Sequence, residues 1–359
     1  MTIMDQKTRL LTAFNLAPPD RPPILGGWLA SPDHIRSLTG CNEDQYWEDP
    51  VHWAVEAERV LGSDGMVATV TPVSHDDFRI IDTHTLENRA SYTMDKVLEE
   101  IEGLPSPYEM KTVFNEDKAY LQFRAEFDSM QTRCKEILWC PADWDLIPIA
   151  LNYHTYGYEN ALTLPILYPE AHQRFMRYKA EIGRERAILH ARAIQAGLHP
   201  NSILTGEDLC GQQGPMISPK LLRQEYFELL EYSIEPLLRI KAKLVWHCDG
   251  DVRPILNDIL ACGFAGLQGF QRECGMDLEW IVNLKTHSQD PLLIYGPISV
   301  TKLLPFGTPN DIISEVIRAI ETCRDKASLV FFTSNTINPD VPLDNIKTYW
   351  NTVIQSSWI

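Results

Sequence analysis

The segment His247-Cys248-Asp249-Gly250 places an imidazole and a carboxylate two residues apart, directly after an apolar run. In an extended strand, residues two apart share one face, so His247 and Asp249 point together while Cys248 points away. Converging nitrogen and oxygen donors suit a Zn²⁺ ion, and they equally suit a general base held by an acid. The structural alternative is a His–Asp hydrogen bond that only fixes the loop. His247 and Asp249 are therefore candidates both for catalysis and for metal binding.

Two further pairs of residues offer ligands or acid–base groups after predicted strands. The adjacent carboxylates of Glu207 and Asp208 provide a metal ligand, an acid or base, or an acceptor for a substrate cation. Capping of the next turn is the alternative role for this pair. We predict Glu207 as a metal ligand and Asp208 as a catalytic residue. In the pair Glu273-Cys274, we predict Cys274 as a further metal ligand, and an ordinary loop pair is the alternative.

Aromatic side chains are dense between residues 139 and 160, after a third predicted strand. Such density beside a site predicts a wall for an aromatic or planar ligand, and aromatic packing within a long insertion is the alternative. From this segment and from predicted strand ends, we expect substrate contacts from Trp28, Tyr153, His154, Tyr156, Gln268 and Asn335. The acidic segment His75-Asp76-Asp77 is expected to form a solvated turn instead.

These residues need a scaffold that brings strand ends together. From about residue 200 onward, β-branched runs alternate with amphipathic runs in five β-α units, which predicts a parallel sheet with helical crossovers. The predicted strands cover residues 202–209, 243–249, 265–270, 291–296 and 328–334. The predicted helices cover residues 219–240, 253–262, 277–284, 309–323 and 342–354. In the N-terminal half of the sequence, we predict three more strands over 22–28, 65–70 and 136–141. We also predict a hairpin insertion over 77–96 and a long helix over 169–196.

Eight such strands predict an α/β fold, a single-domain (β/α)₈ TIM barrel over residues 1–359 with N-terminal hairpin or loop insertions. An open doubly wound sheet is the competing topology, but no Gly-x-Gly-x-x-Gly follows any predicted strand. In a barrel, the C-terminal strand ends open onto one mouth, where the chemistry takes place. His247, Asp249 and the pair Glu207-Asp208 all stand at such ends.

Composition narrows the classes of function. Apolar residues make up 44% of the 359 residues, and no apolar run reaches the roughly 18 residues that a membrane helix needs. The opening "MTIMDQKTRLL" is too polar for a signal peptide. The formal charge of −17 argues against a nucleic-acid partner. The eight cysteines contain no Cys-x-x-Cys pair, which indicates reduced thiols. We therefore expect a cytoplasmic protein that binds neither membranes nor nucleic acids.

Four segments, in order along the chain, match segments of one known family. "MDQKTRLLTAFNLAPPDRPPI" is similar to an N-terminal helix and Pro-Asp-Arg-x-Pro turn, and "GEDLCGQQGPMISPKLLRQEYFELLEYSI" to a central acidic segment. "LVWHCDGDVRPILNDILACGFAGLQGFQ" is similar to a strand that ends in His-x-Cys-Gly or His-x-Asp-Gly, and "SNTINPDVPLDNIKTYW" to a C-terminal loop and helix. Together they resemble the uroporphyrinogen-decarboxylase-like superfamily, and this resemblance implies a (β/α)₈ barrel.

The resemblance implies two chemistries, and the sequence departs from the residue pattern of each. True uroporphyrinogen decarboxylases hold the substrate's carboxylates with an arginine cluster after the first strand. Here that stretch is "GGWLASPDHIRSL", in which Arg36 is the single arginine, and the family's C-terminal Gly-His-Gly is Ser334-Asn335-Thr336. We therefore do not expect decarboxylation of uroporphyrinogen.

The other branch comprises zinc-dependent methyltransferases that act with corrinoid proteins and thiols. Its metal is held by a His-x-Cys pair and a Cys near the last strand, which correspond here to His247, Asp249 and Asn335. Without those thiolates, the site offers only hard nitrogen and oxygen ligands. A metal ion held in this way polarises an oxygen or nitrogen atom of a substrate more readily than it activates a thiol.

The resemblance thus implies a methyltransferase-like enzyme that moves a methyl group between a small substrate, aromatic or not, and a corrinoid protein or other acceptor. A zinc ion at the barrel mouth would act as the Lewis acid. Because the chain has no Asp-x-His-x-x-Gly segment, the corrinoid would arrive on a partner protein. One alternative is a decarboxylase or lyase that acts on a small acid without metal, with His247 and Asp249 as acid and base. A non-catalytic ligand-binding protein is the other, and a homodimer is compatible with all three.

Overall fold

The computed structural model describes residues 3–74 and 93–358. The acidic segment at 75–77 and most of the predicted hairpin, residues 77–92, lie outside the described residues. The remainder of the hairpin prediction is wrong, because Met94 begins a helix that Thr93 caps by accepting a hydrogen bond from the Lys96 N–H. Within the described ranges, every helix is too short or too polar to cross a membrane.

Eight short strands form the barrel, and each lies inside a predicted strand. Their bounds are β1 Leu25–Gly26, β2 Gly65–Val67, β3 Leu138–Cys140, β4 Ser202–Gly206, β5 Lys243–His247, β6 Gly266–Gln268, β7 Leu293–Tyr295 and β8 Ser328–Val330. Nearly all of their residues are buried, as expected for parallel strands that helices cover. A separate antiparallel pair, Cys210–Gly211 with Gly214–Pro215, follows β4.

The eight strands close into a ring in chain order. Strands β1 to β3 pair in parallel in one sheet, and β4 to β8 pair in parallel in the other. Two parallel bridges join the sheets, one between Ile24 and Phe331 and the other between Ala142 and Leu204. The predicted (β/α)₈ TIM barrel is therefore confirmed, and the open doubly wound sheet is excluded.

Helices follow most of the strands and cover the barrel. They are α1 Gln6–Phe14, α2 Pro32–Thr39, α3 Glu43–Glu48, α4 Pro50–Leu61, α5 Met94–Glu102, α6 Pro107–Val113, α7 Glu116–Cys134, α8 Tyr153–Leu167, α9 Pro169–Gln195, α10 Pro219–Glu225, α11 Phe227–Arg239, α12 Leu256–Ala261, α13 Leu278–Ile281, α14 Leu303–Phe306, α15 Pro309–Cys323 and α16 Leu343–Gln355. Short 3₁₀ turns occur at Trp144–Leu146 and Arg272–Cys274. The run predicted as one helix over 219–240 is two helices, with a break at the buried Tyr226.

Helix α1 packs apolar side chains into the N-terminal end of the barrel. Apolar side chains of α1 join those that fill the interior, in a cluster that includes Leu10, Ala13, Phe14, Leu25, Val67, Leu138, Leu204, Val245, Leu293, Tyr295, Val330 and Phe332. The hydroxyl of Ser328, at the start of β8, donates to the Ala13 carbonyl at 2.7 Å, so α1 covers this end. The C-terminal strand ends are left to form the site.

Candidate active site

His247 ends β5, and a neighbouring amide fixes its tautomer. The amide nitrogen of Gln268, on β6, donates to the carbonyls of Thr333 at 2.8 Å and Ser334 at 3.2 Å. The Gln268 oxygen therefore faces His247 and accepts a hydrogen bond from its Nδ1. A proton assigned to Nδ1 in this way leaves the Nε2 lone pair free for a metal ion or a proton.

Two tryptophans flank the imidazole. The ring of Trp28, in the loop after β1, meets that of His247 edge to face at 5.7 Å. The ring of Trp144, in the 3₁₀ turn after β3, lies 5.4 Å from it at an interplanar angle of 70°. Such contacts restrict the orientation of the His247 ring, which is only 7% exposed.

A buried carboxylate positions Trp28. Glu58 on α4 accepts hydrogen bonds from the Gly27 N–H at 2.7 Å and from the Ser63 hydroxyl at 2.5 Å. Burial raises the pKa of Glu58, and these two hydrogen bonds oppose the rise. Gly27 has φ +106°, which only glycine adopts at low cost, and the chain turns here into Trp28.

Two aspartates lie on the Nε2 side of His247. The Oδ1 atom of Asp208 is 3.5 Å from Nε2 and also accepts the Asp249 N–H at 2.9 Å. The hydroxyl of Tyr153 donates to Oδ2 of Asp208 at 3.3 Å. The amide of Asn335 donates to Oδ2 of Asp249 at 2.6 Å. Both carboxylates are therefore held in place by groups from other loops.

One oxygen of Asp249 has no hydrogen-bond partner. Its Oδ1 is buried and unpaired among the described residues. Burial raises the pKa of Asp249 to about 6, with the attraction of His247 opposing and the nearby charge of Asp208 adding to the rise. A buried polar atom without a partner is costly. An acceptor kept in this state is suited to bind a cation or a proton.

The donor set fits a divalent metal ion. One ligand atom from each of Asp208, His247 and Asp249 lies within 4.8 Å of the other two. One imidazole nitrogen and two carboxylate oxygens match a zinc site with three protein ligands and an open position.

A cavity of about 380 Å³ opens beside this cluster. Its lining combines apolar and aromatic residues with two carboxylates and consists of Trp144, Ile149, Leu151, Asn152, Tyr153, His154, Gly206, Glu207, Asp208 and His247. Within the described part of the chain, no Lys or Arg lines it. The predicted substrate contacts Tyr153 and His154 are thus placed at the cavity.

Two predicted metal ligands lie outside the cluster. Both oxygens of Glu207 accept backbone hydrogen bonds, from the Ala150 N–H at 3.0 Å and the Leu151 N–H at 2.6 Å. Burial raises the pKa of Glu207 to about 7 although these bonds oppose the rise. Glu207 therefore anchors the loop that walls the cavity. The thiol of Cys274 lies 3.5 Å from the Gln271 side-chain oxygen, and burial raises its pKa.

Four predicted substrate contacts do not line the cavity. Trp28 is buried against the rings of His247 and Phe332. Tyr156 does not line the cavity, because it packs against Phe175 at 6.0 Å in a cluster with residues of α5. Gln268 uses both ends of its amide to hold His247. Asn335 also uses both ends, since its oxygen accepts the Thr336 N–H at 2.6 Å while its nitrogen donates to Asp249.

Trp144 is not among the predicted site residues, although it belongs to the aromatic segment after β3 that is predicted to form a ligand wall. Its position four residues beyond a barrel strand is the signal that would have selected it. The apolar wall residues Ile149 and Leu151 carry no comparable signal, because their types are those of an ordinary core.

Together, the closed parallel barrel and the histidine–carboxylate cluster at its C-terminal mouth define a (β/α)₈ protein with an enzyme-type site. Residues 146–356 match the family described as Uroporphyrinogen decarboxylase. This match covers more than half of the chain, which therefore belongs to the uroporphyrinogen decarboxylase family.

A solved structure extends the likeness to the rest of the chain. The fold is similar to that of a methyltransferase from Methanosarcina mazei, with a TM-score of 0.57 and 16% sequence identity, covering 98% of this chain and 99% of that chain. At this identity the likeness shows the fold. A sequence search of curated proteins finds no match.

Proposed function

We propose that this protein is a methyltransferase-like enzyme that moves a methyl group between a small substrate in the cavity and an acceptor, with a corrinoid on a partner protein as the first candidate. The observation that carries the proposal is the convergence of His247 Nε2 with the carboxylates of Asp208 and Asp249 beside the cavity. The family, and the similarity of the fold to that of a methyltransferase, support it.

In this proposal, Asp208, His247 and Asp249 hold a divalent metal ion, with zinc as the first candidate. The ion would supply Lewis acidity toward an atom that presents a lone pair. Because no thiolate belongs to the cluster, the site is harder than a sulfur-rich one and discriminates less strongly for zinc.

The chain's own residues orient and desolvate the reacting groups. Gln268 keeps the proton of His247 on Nδ1, so Nε2 stays basic. Tyr153 and Asn335 orient the two carboxylates through the hydrogen bonds described above. Trp28 and Trp144 contact the imidazole, which is only 7% exposed, and this low exposure to water strengthens electrostatic interactions inside the site.

The second candidate is a decarboxylase or lyase step on a small acid, with His247 and Asp249 as base and acid. The hydrogen bonds from Asn335 and to Gln268 favour it, because they organise the pair for proton transfer. The cavity lining argues against it, since among the described residues no Lys or Arg is present to bind the carboxylate of the acid. A purely ligand-binding protein needs no such organised pair.

Elemental analysis of protein purified without chelator tests the proposed cluster. We expect about one divalent ion per chain in the wild type, loss of that ion in His247→Ala, and no loss in the exposed-surface control His287→Ala. Equal metal content in His247→Ala and the wild type would show that the cluster is not a metal site. Transfer of a ¹³C-labelled methyl group to a thiol or to a reduced corrinoid, followed by NMR, then tests the reaction itself.

A further inference from the structure

The cavity wall carries carboxylates but no basic Lys or Arg side chain among the described residues. The acidic lining residues are Glu207 and Asp208. Asp208 is anchored at both oxygens, by the Asp249 N–H and by the Tyr153 hydroxyl, so its charge stays at the cavity wall. Among the described lining residues, an anionic ligand would find no Lys or Arg with which to pair.

Apart from the amide of Asn152 and the imidazole of His247, the rest of the lining is mainly aromatic or apolar. Trp144, Tyr153 and His154 contribute rings, while Ile149 and Leu151 contribute aliphatic surface. Trp144 is 40% exposed, so a large part of its indole is available to a ligand. Hydroxyl groups of a ligand that face this aromatic and aliphatic part of the wall would lack hydrogen-bond partners.

Protein sites that bind alkylated cations typically combine aromatic rings with carboxylates. The negative face of an indole or phenol ring attracts a cation whose charge is spread over methyl groups. Such a cation forms no directional hydrogen bonds and therefore loses little on the apolar wall. The volume of about 380 Å³ lies at the small end of ligand pockets.

We infer that the cavity binds a small onium cation, a quaternary ammonium or sulfonium, and that this cation is the methyl donor. The second part rests on the proposed function. A quaternary nitrogen has no lone pair for a metal ion, so the onium group occupies the wall formed by Trp144 and Tyr153 and not the Asp208–His247–Asp249 cluster.

The methyl transfer from an onium donor breaks one bond to the methyl carbon and forms one. The bond between the methyl carbon and the nitrogen or sulfur breaks, and its electron pair stays on the departing atom, which leaves as a neutral amine or sulfide. The acceptor, a thiolate or a reduced corrinoid on a partner protein, supplies the electron pair of the new bond to the methyl carbon. No proton, oxidant or reductant is consumed in this step.

Calorimetric titration with choline and with 3,3-dimethylbutan-1-ol tests the binding. The alcohol has the shape of choline but carries no charge. For the wild type we expect choline to bind at least about tenfold more tightly than the alcohol. Trp144→Leu should abolish this difference, and Trp144→Phe, which keeps an aromatic ring, should retain most of it.

Trp280→Leu is the matched control, because Trp280 is 41% exposed but does not line the cavity. It should bind choline as the wild type does. Equal affinities for choline and the alcohol, or an unchanged preference in Trp144→Leu, would overturn the inference.

Labelled donors separate this inference from the proposed function. If ¹³C-methyl-choline binds selectively but yields no methylated acceptor while uncharged donors also yield none, the proposed function fails and the cation site stands. If an uncharged methyl ether transfers its label while choline does not bind, the proposed function stands and the onium inference fails.

Discussion

The Nε2 atom of His247 lies 3.5 Å from Oδ1 of Asp208, across the boundary between two neighbouring barrel strands. The register of β4 and β5 sets Gly206 opposite His247. Two residues beyond Gly206, the chain has passed the end of β4 and can direct the Asp208 carboxylate back over the imidazole. The proximity of these two side chains is thus a direct consequence of strand register.

Removing the amide that fixes His247 should weaken the metal site without unfolding the barrel. In Gln268→Leu, Nδ1 loses its acceptor and the imidazole loses its fixed tautomer. We expect metal affinity to fall about 10- to 100-fold, as measured by competition with a chromogenic chelator. Gln122→Leu, on the exposed surface of α7, is the control and should bind metal normally. Unchanged affinity in Gln268→Leu would show that this amide does not position a metal ligand.

Introducing thiolates as ligands should raise the affinity of the cluster for zinc. The Asn335 amide and the Asp249 carboxylate meet at 2.6 Å, so two cysteines at these positions would face the same point. We expect Asp249→Cys with Asn335→Cys, kept under reductant, to bind zinc at least about tenfold more tightly than the wild type. The serine double variant, which has similar size but no thiolate, should not. Weaker zinc binding by the cysteine variant would contradict the assignment of Asp249 as a ligand.

A methyl group at Gly26 should strongly destabilise the fold. An added Cβ would lie 1.8 Å from the buried Oε2 of Glu58, which has no room to move because Gly27 and Ser63 hold it. We expect Gly26→Ala to lose about 3 kcal/mol or more of unfolding free energy in urea. Gly211→Ala, where an added Cβ meets nothing within 4 Å, should change stability by less than about 0.5 kcal/mol. Similar losses in both variants would contradict the close contact.

Acid should destabilise the protein through His199. Burial lowers the pKa of His199 to about 3, the charge of His190 adds to this effect, and the Pro200 carbonyl opposes it. The unfolded chain takes up a proton at this residue below about pH 6.5, but the folded chain does so only near pH 3. This contribution to stability is therefore complete above about pH 6.5 and declines by about 1.4 kcal/mol per pH unit as the pH falls toward 3.

Urea unfolding between pH 7 and pH 4.5 measures this decline. The variant His199→Asn cannot titrate in this range, so its stability should fall less steeply than that of the wild type. Parallel pH profiles for the two proteins would show that His199 is protonated equally easily in the folded and unfolded states.

The order and number of strands were predictable from the sequence, because each strand is a short β-branched run between amphipathic helices. The strands end earlier than predicted. Asp208 and Asp249 closely follow the apolar runs and lie inside the predicted strands. In the structure, their backbones have left the strand ladder and form the mouth. The break at Tyr226 was not predictable, because the apolar periodicity continues through it.

The convergence of His247 and Asp249 with a carboxylate of the Glu207-Asp208 pair also followed from the sequence, because a closed parallel barrel brings the C-terminal ends of its strands to one rim. Which neighbouring side chain reaches the site was decided by tertiary structure alone. Glu207 and Asp208 are adjacent and chemically alike, yet Glu207 is drawn away by the backbone N–H of Ala150, 57 residues distant. Sequence periodicity reports which faces are apolar and in what order elements occur. It carries no information about which distant amide or ring completes the environment of a polar side chain, and those long-range contacts determine the cavity.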